Sequence, residues 1–456
     1  MGHEKLSLES IVDSSPLGRG QIRIIAICAL IAVVDGFDTQ SIGLVAPAIA
    51  AAWQVAPSRF GMVFGAGLLG GLLGALVFGI CGDRFGRRPA LIAAVALFAA
   101  TTSITPFTSS IPALGLVRLA TGLGLGGALP GIISITSEYA PARLRGTLVA
   151  LMFCGFPLGA VIGGIVSAGM IPAFGWASVF YVGAAIPALL LPIIWAVLPE
   201  SVRFLAMKQN RAGIERVLAR MRWPVQWDGV LGSAPLETRS PVASLFASGK
   251  ALGTVLLWTT LFLSLLLTYF LVNWMPIIAR QSGIGMTAAV LAVAALNLGA
   301  IVGCLAIGRL CDLYGRATIV IGAAFGLGAV AIALIGVSKQ SVAMLLIVTF
   351  LAGVFSIGAQ MCTVVLSASF YETSLRATGV GWAIGIGRIG SIVGPVLGGV
   401  LIAAGMAAVP LFILVGAMSI GSAIAIVTLG LRTFSARSMR DDHVKIREAA
   451  NFPSDR

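Results

Sequence analysis

The sequence predicts an all-α membrane protein with twelve transmembrane helices in two six-helix bundles. Its composition is the first reason: 58% of the 456 residues are hydrophobic and only 10% are charged, whereas about a quarter of the residues of a soluble domain are charged. The second reason is a series of twelve apolar stretches, each near the roughly 20 residues that a helix needs to cross a bilayer. The third is an internal repeat that divides the chain near its middle. These observations argue against a soluble enzyme.

The apolar stretches follow one another through short loops, with one long polar interruption after the sixth. We predict spans at residues 22–50, 60–80, 89–108, 111–136, 146–170, 175–197, 252–279, 288–311, 317–337, 341–369, 378–404 and 409–431. The first span lacks the short apolar core followed by a cleavage site of small residues that is typical of a signal peptide. We therefore interpret it as a retained helix.

The same pattern gives the domain organisation. We predict an N-terminal tail at 1–21, a first six-helix bundle at 22–198 and a linker at 199–250. A second bundle follows at 251–431, with a C-terminal tail at 432–456.

The positive charges predict the orientation. If the N-terminus lies inside, 25 of the 30 Lys and Arg residues lie in the tails and inner loops and three in outer loops. The other two, Arg118 and Arg388, lie within spans. Because Lys and Arg concentrate in cytoplasmic loops, we predict that both termini are cytoplasmic. The net charge of +13 then reflects membrane topology, and we expect no nucleic acid partner.

The linker begins with a basic amphipathic stretch that ends near Arg222. This pattern predicts a small surface helix. We expect anionic lipid headgroups to hold it at the membrane, and a regulatory docking role is the alternative.

The two halves carry similar loops. Residues 79–87 (GICGDRFGR) recur as 308–316 (GRLCDLYGR) at an offset of 229, and Arg145-Gly-Thr recurs as Arg376-Ala-Thr at an offset of 231. Parallel repeats of this kind build two-bundle transporters, whose substrate site lies between the bundles near the membrane midplane.

Several motifs together resemble one known family. They are Asp35-Gly-Phe-Asp38, the loop Gly82-Asp-Arg-Phe-Gly-Arg-Arg-Pro89, Glu138-Tyr-Ala-Pro141, Pro199-Glu-Ser201 and Gly387-Arg-Ile-Gly390. The loop resembles the signature of the major facilitator superfamily. The whole set is similar to the aromatic acid:proton symporters, which are bacterial inner-membrane carriers of hydroxybenzoates, benzoates and chlorinated phenoxyacetates.

The resemblance implies the major facilitator fold and proton-coupled uptake of a small aromatic carboxylate anion by alternating access. It also implies a multi-pass protein of the bacterial inner membrane that uses protons and no cofactor, and we expect a monomer. Proton-driven efflux, or symport of another organic anion on the same fold, is the alternative.

Two acids are candidates for proton coupling. Asp35 and Asp38 lie about 14 and 17 residues into the first span, roughly 20 to 25 Å from its inner end. Their spacing of three residues predicts a shared helix face. Two ionised carboxylates there are costly, so we expect at least one of them to take up a proton readily.

Two arginines are candidates for substrate binding. Arg118 lies about seven residues into the fourth span, at a depth comparable with Asp35, and its planar fork suits a carboxylate of Asp35 or of the substrate. A purely structural ion pair is the alternative. Arg388 lies near the midplane in the eleventh span, and we favour the substrate carboxylate as its partner over a bridge between the halves.

An aromatic acid also needs an apolar slot with a few polar groups. We expect the slot to be lined by three aromatic side chains and one amide: Phe37, Tyr269, Asn273 and Trp274. Anchoring at the membrane interface is the alternative for the aromatic residues. For Asn297 and Gln360 we predict helix–helix hydrogen bonds.

The inner loops supply the candidate gating residues. The resemblance implies that they form charge and hydrogen-bond contacts that hold the outward-facing state and break when the bundles rock. Simple charge anchoring is the alternative. The candidates are Gly82, Asp83, Gly86, Arg87, Arg88, Glu138, Arg145, Asp312, Arg316 and Arg376.

The sequence lacks the residue patterns that metal binding, nucleotide binding or enzyme catalysis would need. The two histidines, His3 and His443, lie in the tails, and the six cysteines show no CxxC spacing, so we predict no metal site. Two GxGxxG patterns, at 122–127 and 385–390, lie inside spans, where glycine serves close helix packing and not nucleotide binding. We therefore predict a transporter and not an enzyme. A receptor without transport would need an output module larger than the linker.

Overall fold

The computed structural model describes residues 12–13, 17–221, 223, 242–247, 251–338, 341–372 and 375–450. Within them, twelve helices are long and apolar enough to cross a membrane, which confirms the predicted spans. The first bundle contains α1 (Arg19–Trp53), α2 (Pro57–Phe85), α3 (Arg87–Phe107), α4 (Ile111–Tyr139), α5 (Ala142–Phe174) and α6 (Ala177–Val197). The linker contributes α7 (Val202–Met207) and α8 (Arg211–Met221). The second bundle contains α9 (Ala251–Gln281), α10 (Met286–Tyr314), α11 (Ala317–Ile335), α12 (Val342–Phe370), α13 (Thr378–Ala403) and α14 (Ala408–Arg432).

The internal repeat extends from the loops into the helix starts. Ser110 precedes α4 and its hydroxyl accepts a hydrogen bond from the Ala113 backbone N–H. Ser341, which is offset from Ser110 by 231 residues, caps α12 in the same way through the Met344 N–H. A serine at this position satisfies one of the free N–H groups at a helix start. The two bundles therefore begin their fourth helices with the same local structure.

The helix packing inside the bundles follows the same repeat. In the first bundle, Gly70 and Gly74 of α2 lie against the backbone carbonyls of Leu119 and Leu123 of α4. In the second bundle, the matching contacts are made by Gly299 and Gly303 of α10 against Phe350 and Val354 of α12. The offsets are again 229 for the glycines and 231 for their partners. A side chain at these glycines would collide with backbone, so the close approach of the helices depends on them.

The bundles meet on the outer side of the membrane, which we name from the predicted orientation. Helix pairs α1 with α9, α2 with α13 and α5 with α10 join them. One apolar cluster in the outer half contains residues of both bundles, such as Val45 and Leu271. In the inner half each bundle has its own cluster. The molecule is thus closed on its outer side.

The linker helices lie against the first bundle. The apolar face of α8, with Ile214, Val217 and Leu218, is buried in the inner cluster of that bundle. Trp223 stacks on Tyr139 at the end of α4, with ring centroids 6.1 Å apart. The protein itself therefore covers the apolar face of α8, and the predicted attraction of the basic stretch to anionic lipid headgroups stays a prediction.

The ends of the chain are only partly described. Asp13 lies against the start of α5, where it accepts a hydrogen bond of 2.8 Å from the Ala142 N–H. The last helix continues beyond the membrane span to Ala450. The other residues of the predicted tails and linker, 1–11, 14–16, 222, 224–241, 248–250 and 451–456, lie outside the described residues. The predicted cytoplasmic location of both termini stays a prediction.

Candidate functional site

The two acids of α1 are both buried inside the membrane region, but they have different neighbours. The exposed fraction is 3% for Asp35 and 0% for Asp38. Asp38 is directed into the first bundle, whereas Asp35 interacts with residues of the second. The predicted shared face therefore divides between the interior of one bundle and the seam between the two.

Asp38 forms an ion pair with Arg118 inside the first bundle. The Arg118 Nη1 lies 3.8 Å from Asp38 Oδ1, and Thr102 donates a hydrogen bond of 3.1 Å to Asp38 Oδ2. Arg118 Nη2 also donates to the Thr105 hydroxyl at 2.6 Å. The guanidinium carbon lies 4.7 Å from the centre of the Phe180 ring, which adds a cation–π contact. Helices α1, α3, α4 and α6 are thus joined around one buried charge pair.

This geometry identifies the carboxylate partner of Arg118. The sequence left open whether the fork of Arg118 binds Asp35 or a substrate carboxylate, and its partner is instead Asp38. Arg118 is only 3% exposed and is surrounded by residues of its own bundle. The alternative of a structural ion pair describes the observed contacts.

Asp35 belongs to a second group of charged and polar residues, and both bundles contribute residues to it. Thr39, one turn further along α1, donates a hydrogen bond of 3.1 Å to Asp35 Oδ1. Arg388 of α13 interacts electrostatically with Asp35 and with Tyr269 of α9. Both Arg388 and Tyr269 are half-buried. We call Asp35, Thr39, Tyr269 and Arg388 the central site.

The remaining predicted lining residues lie elsewhere. Phe37 is 4% exposed and packs inside the first bundle against Gly163 and Gly183. Trp274 is fully buried, and its indole N–H donates a hydrogen bond of 2.9 Å to the Pro395 carbonyl. In this conformation helix packing surrounds both rings, and their predicted contact with a substrate stays a prediction.

Asn273 is buried beside the central site. Its Nδ2 donates a hydrogen bond of 2.7 Å to the Tyr269 carbonyl one turn earlier, and its backbone lies against Gly43 of α1. It is 4% exposed. Asn273 therefore stabilises the α1–α9 contact beside the central site.

The sequence did not single out several polar partners. The hydroxyls of Thr39, Thr102 and Thr105 form hydrogen bonds with three of the four charged side chains, those of Asp35, Asp38 and Arg118. Gln40 forms two hydrogen bonds with Asn297 of the other bundle, which confirms a helix–helix role for Asn297. Spacing is the signal in the sequence that could have identified these partners, since Thr39 and Thr102 each lie within one turn of another polar residue of the same span.

The inner loop between α2 and α3 contains a compact set of the predicted gating residues. Asp83 and Arg87 form an ion pair of 2.5 Å, and the Arg87 side chain lies over Gly82. Gly86 ends α2 with a φ of +113°, and a side chain there would also collide with the Glu200 carboxylate. Only glycine combines this backbone conformation with that close contact.

The start of the linker binds this loop and the end of α4. The Arg88 backbone N–H donates to Glu200 Oε1 at 3.0 Å, and its guanidinium donates to the Trp195 carbonyl. Glu138 Oε2 accepts a hydrogen bond of 2.6 Å from the Ser201 hydroxyl. The Pro199-Glu-Ser motif therefore connects the predicted gating residues of the first bundle.

Three further candidates of the inner side are exposed: Asp312, Arg316 and Arg376. Arg145 lies 3.3 Å from Asp13. The ion pairs and hydrogen bonds described above for the inner ends lie within the first bundle or join it to the N-terminal tail or the start of the linker. The predicted role of these residues in holding the outward-facing state stays a prediction.

We expect Asp83→Asn to impair turnover more than substrate binding. The Asp83 side chain is 62% exposed, so its loss should remove little folding free energy here. It removes a charge that we predict the outward-facing state to need. The maximal transport rate should fall about tenfold, or about 1.4 kcal/mol, while the substrate affinity changes little. Initial rates over a range of substrate concentrations measure both. Asp312→Asn tests the repeat-related loop in parallel, and a pure loss of affinity in Asp83→Asn would contradict the gating role.

The fold and the central site define a membrane carrier with two bundles and a charged group at their seam. The comparisons with known proteins agree with this class. The family model described as "Major Facilitator Superfamily" matches residues 28–338 and 257–449. The chain belongs to this superfamily, as its loop motif predicts.

Curated relatives specify the branch. The chain is 38% identical to the 4-hydroxybenzoate transporter PcaK of Acinetobacter baylyi, over 87% of this chain and 88% of that protein. It is 34% identical to a gallate transporter of Pseudomonas putida, over 93% and 95%. It is 38% identical to the 3-(3-hydroxy-phenyl)propionate transporter of Escherichia coli, over 91% and 94%. The predicted resemblance to aromatic acid carriers is confirmed.

The solved structures confirm the fold. A partially occluded inward-open form of the xylose transporter XylE from E. coli superposes with a TM-score of 0.68 at 18% identity, over 90% of this chain and 98% of that one. The protein is thus a multi-pass transporter of the bacterial inner membrane and not an enzyme.

Proposed function

We propose that this protein takes up an aromatic carboxylate together with protons by alternating access. The observation that carries the proposal is the central site, in which Asp35 of the first bundle and Arg388 of the second interact at the seam between the bundles. The relatives named above are transporters of 4-hydroxybenzoate, gallate and 3-(3-hydroxy-phenyl)propionate. All three compounds combine a carboxylate with a hydroxylated ring.

Arg388 is the proposed partner of the substrate carboxylate. A guanidinium presents a planar fork of donors that matches a carboxylate. Arg388 is half-buried and forms no direct ion pair with Asp35 within the described residues. The charge of Arg388 can therefore be compensated either by Asp35 or by a bound anion. Tyr269 lies beside it and supplies a ring that can stack on the substrate.

Asp35 is the proposed proton site. A proton on Asp35 removes its negative charge and leaves Arg388 to a substrate carboxylate, so the site keeps its charge balance when both ligands bind. With a substrate bound and Asp35 ionised, one negative charge is in excess in a site of low dielectric, and this state resists occlusion. This competition for one arginine couples proton binding to substrate binding.

Asp38 has a separate proposed role. Its charge is compensated by Arg118 inside the first bundle, away from the seam. We therefore assign proton coupling to Asp35 and a structural role to the Asp38–Arg118 pair. One chain contains the complete central site, which supports action as a monomer, and the pH gradient supplies the free energy without a bound cofactor.

Counterflow in proteoliposomes tests the substrate class. Vesicles are loaded with unlabelled 4-hydroxybenzoate, and the uptake of labelled 4-hydroxybenzoate, gallate, benzoate and the neutral 4-hydroxybenzamide is measured without a pH gradient. We expect exchange of the carboxylates and at least about tenfold slower exchange of the amide, because it does not compensate Arg388. Arg388→Gln should abolish exchange of the acids. Equal exchange of the amide, or full activity of Arg388→Gln, would contradict the proposed site.

A further inference from the structure

Gln40 of α1 and Asn297 of α10 form a reciprocal amide pair between the two bundles. Gln40 Nε2 donates to Asn297 Oδ1 at 2.9 Å, and Asn297 Nδ2 donates back to Gln40 Oε1 at 2.8 Å. Asn297 Nδ2 also donates to the Val293 carbonyl at 2.9 Å. The two side chains are 3% and 4% exposed. Among the described residues, these are the side-chain-to-side-chain hydrogen bonds that join the bundles.

The pair lies directly on the outer side of the central site. Gln40 is five residues beyond Asp35 along α1, which corresponds to about 7.5 Å of helix. One turn further outward, Gly43 packs on the backbone of Asn273 in α9, and Gly164 of α5 packs on Ala294 of α10. The amide pair is therefore the first contact above the central site in the closed outer seam.

A substrate that enters from the outer side has to pass this seam, so the pair must separate and re-form in each cycle of uptake. The chemistry of the pair suits such a change. Buried amides are stable only when their hydrogen bonds are satisfied, and Leu296 and Val293 beside the pair are fully buried. The hydrogen bonds of the amides are formed with each other when the seam is closed and with water when it is open. In a half-open seam neither amide has a hydrogen-bond partner.

We propose that Gln40 and Asn297 form the closing contact of the outer gate. The inference concerns the transport cycle and does not depend on which substrate is carried. It assigns a role to two residues outside the charged central site, and the contact is neutral, unlike the ion pairs of the inner loop. Loss of one amide leaves its partner buried and unpaired in the closed state, so it should favour the outer-open state.

Distance measurements by electron paramagnetic resonance test this proposal without substrate. Spin labels are attached at Arg59→Cys and Ala404→Cys, two exposed positions at the outer ends of α2 and α13, in a variant whose six native cysteines are replaced. We expect Gln40→Leu and Asn297→Leu each to raise the ratio of open to closed molecules about tenfold, equivalent to about 1.4 kcal/mol.

Two double variants distinguish a gate from general packing. Gln40→Asn combined with Asn297→Gln exchanges the amides and should restore the native distance distribution. Gln40→Leu combined with Asn297→Leu replaces both partners by apolar groups, which is neutral or stabilising for a buried pair, so the closed state should return. Additive opening in this double variant would overturn the proposal.

Gln360→Leu is the matched control. Gln360 is another buried amide within a span, in α12 of the second bundle, and it forms no hydrogen bond with the described residues of the first bundle. Its replacement should leave the outer distance unchanged. If Gln40→Leu behaves like Gln360→Leu, the amide pair does not control the gate. Because these measurements use no substrate, failure of the counterflow experiment does not affect their outcome.

Discussion

Replacement of Asp35 by Asn will abolish the accumulation of substrate that a pH gradient drives. In the proposed transport cycle, a proton on Asp35 leaves Arg388 to the substrate, and this proton returns to solvent on the inner side. The amide of Asn is permanently neutral, so Arg388 can bind the substrate carboxylate without a proton. The variant should therefore exchange substrate across the membrane while it loses the link to the proton gradient.

The magnitude follows from the driving force. A gradient of one pH unit supplies about 1.4 kcal/mol for each proton, which corresponds to about tenfold accumulation for one proton per substrate. In proteoliposomes that are more acidic outside, the native protein should approach this ratio, and Asp35→Asn should approach equal concentrations on both sides. Because the coupling proton binds from the acidic side, native accumulation should disappear when the two pH values are made equal.

Two controls make this result specific. Glu215→Gln neutralises an acid of α8 whose side chain is 54% exposed, and it should retain full accumulation. Thr39→Val removes the hydrogen bond to Asp35 but leaves the carboxylate, so coupling should persist at a lower rate. Retained proton-driven accumulation in Asp35→Asn would eliminate Asp35 as the coupling residue.

The sequence predicts the fold well because the bilayer simplifies the problem. A span needs a fixed length of apolar residues, and all twelve predicted spans are present. The repeat predicts two similar bundles, and the glycine contacts of Gly70 and Gly299 occupy matching positions. Both signals are local in the sequence or follow a constant offset, so no knowledge of packing is needed.

The direction of individual side chains is harder to predict. A central helix such as α1 has protein on every side, so a residue such as Phe37 can be buried within one bundle or directed to the seam. Spacing places Asp35 and Asp38 near each other, but it does not reveal that Arg118 and Thr102 attract only Asp38. Hydropathy also indicates an apolar face on α8 without showing that the first bundle covers it.

The four charged residues show which part of the site can be predicted from the sequence. Arg118, Arg388, Asp35 and Asp38 were identified as buried charges, because such residues are rare inside spans. The partners of these residues cannot be identified in this way. The sequence gives the depth of a residue along a helix, but it does not give the direction in which the residue points about the helix axis. The structure separates the buried ion pair of Asp38 and Arg118 from Asp35 and Arg388 at the seam, and the two sets predict different mutant phenotypes.

Replacement of Arg118 by Met will destabilise the protein strongly, in contrast to Arg388→Gln. Arg118 is the charge partner of Asp38, which is completely buried. Removal of one member of a buried ion pair leaves an uncompensated charge and costs about 3 to 5 kcal/mol. The contact with the Phe180 ring is also lost. Equilibrium unfolding of the purified protein in mixed micelles measures this loss.

The double variant Arg118→Met with Asp38→Asn separates stability from coupling. Asn removes the unpaired charge and keeps a group that can accept the hydrogen bond from Thr102, so most of the lost free energy of unfolding should return. If Asp35 alone couples transport to protons, this stable double variant should still accumulate substrate in response to a pH gradient. A folded double variant that exchanges substrate but does not accumulate it would instead assign a second coupling proton to Asp38.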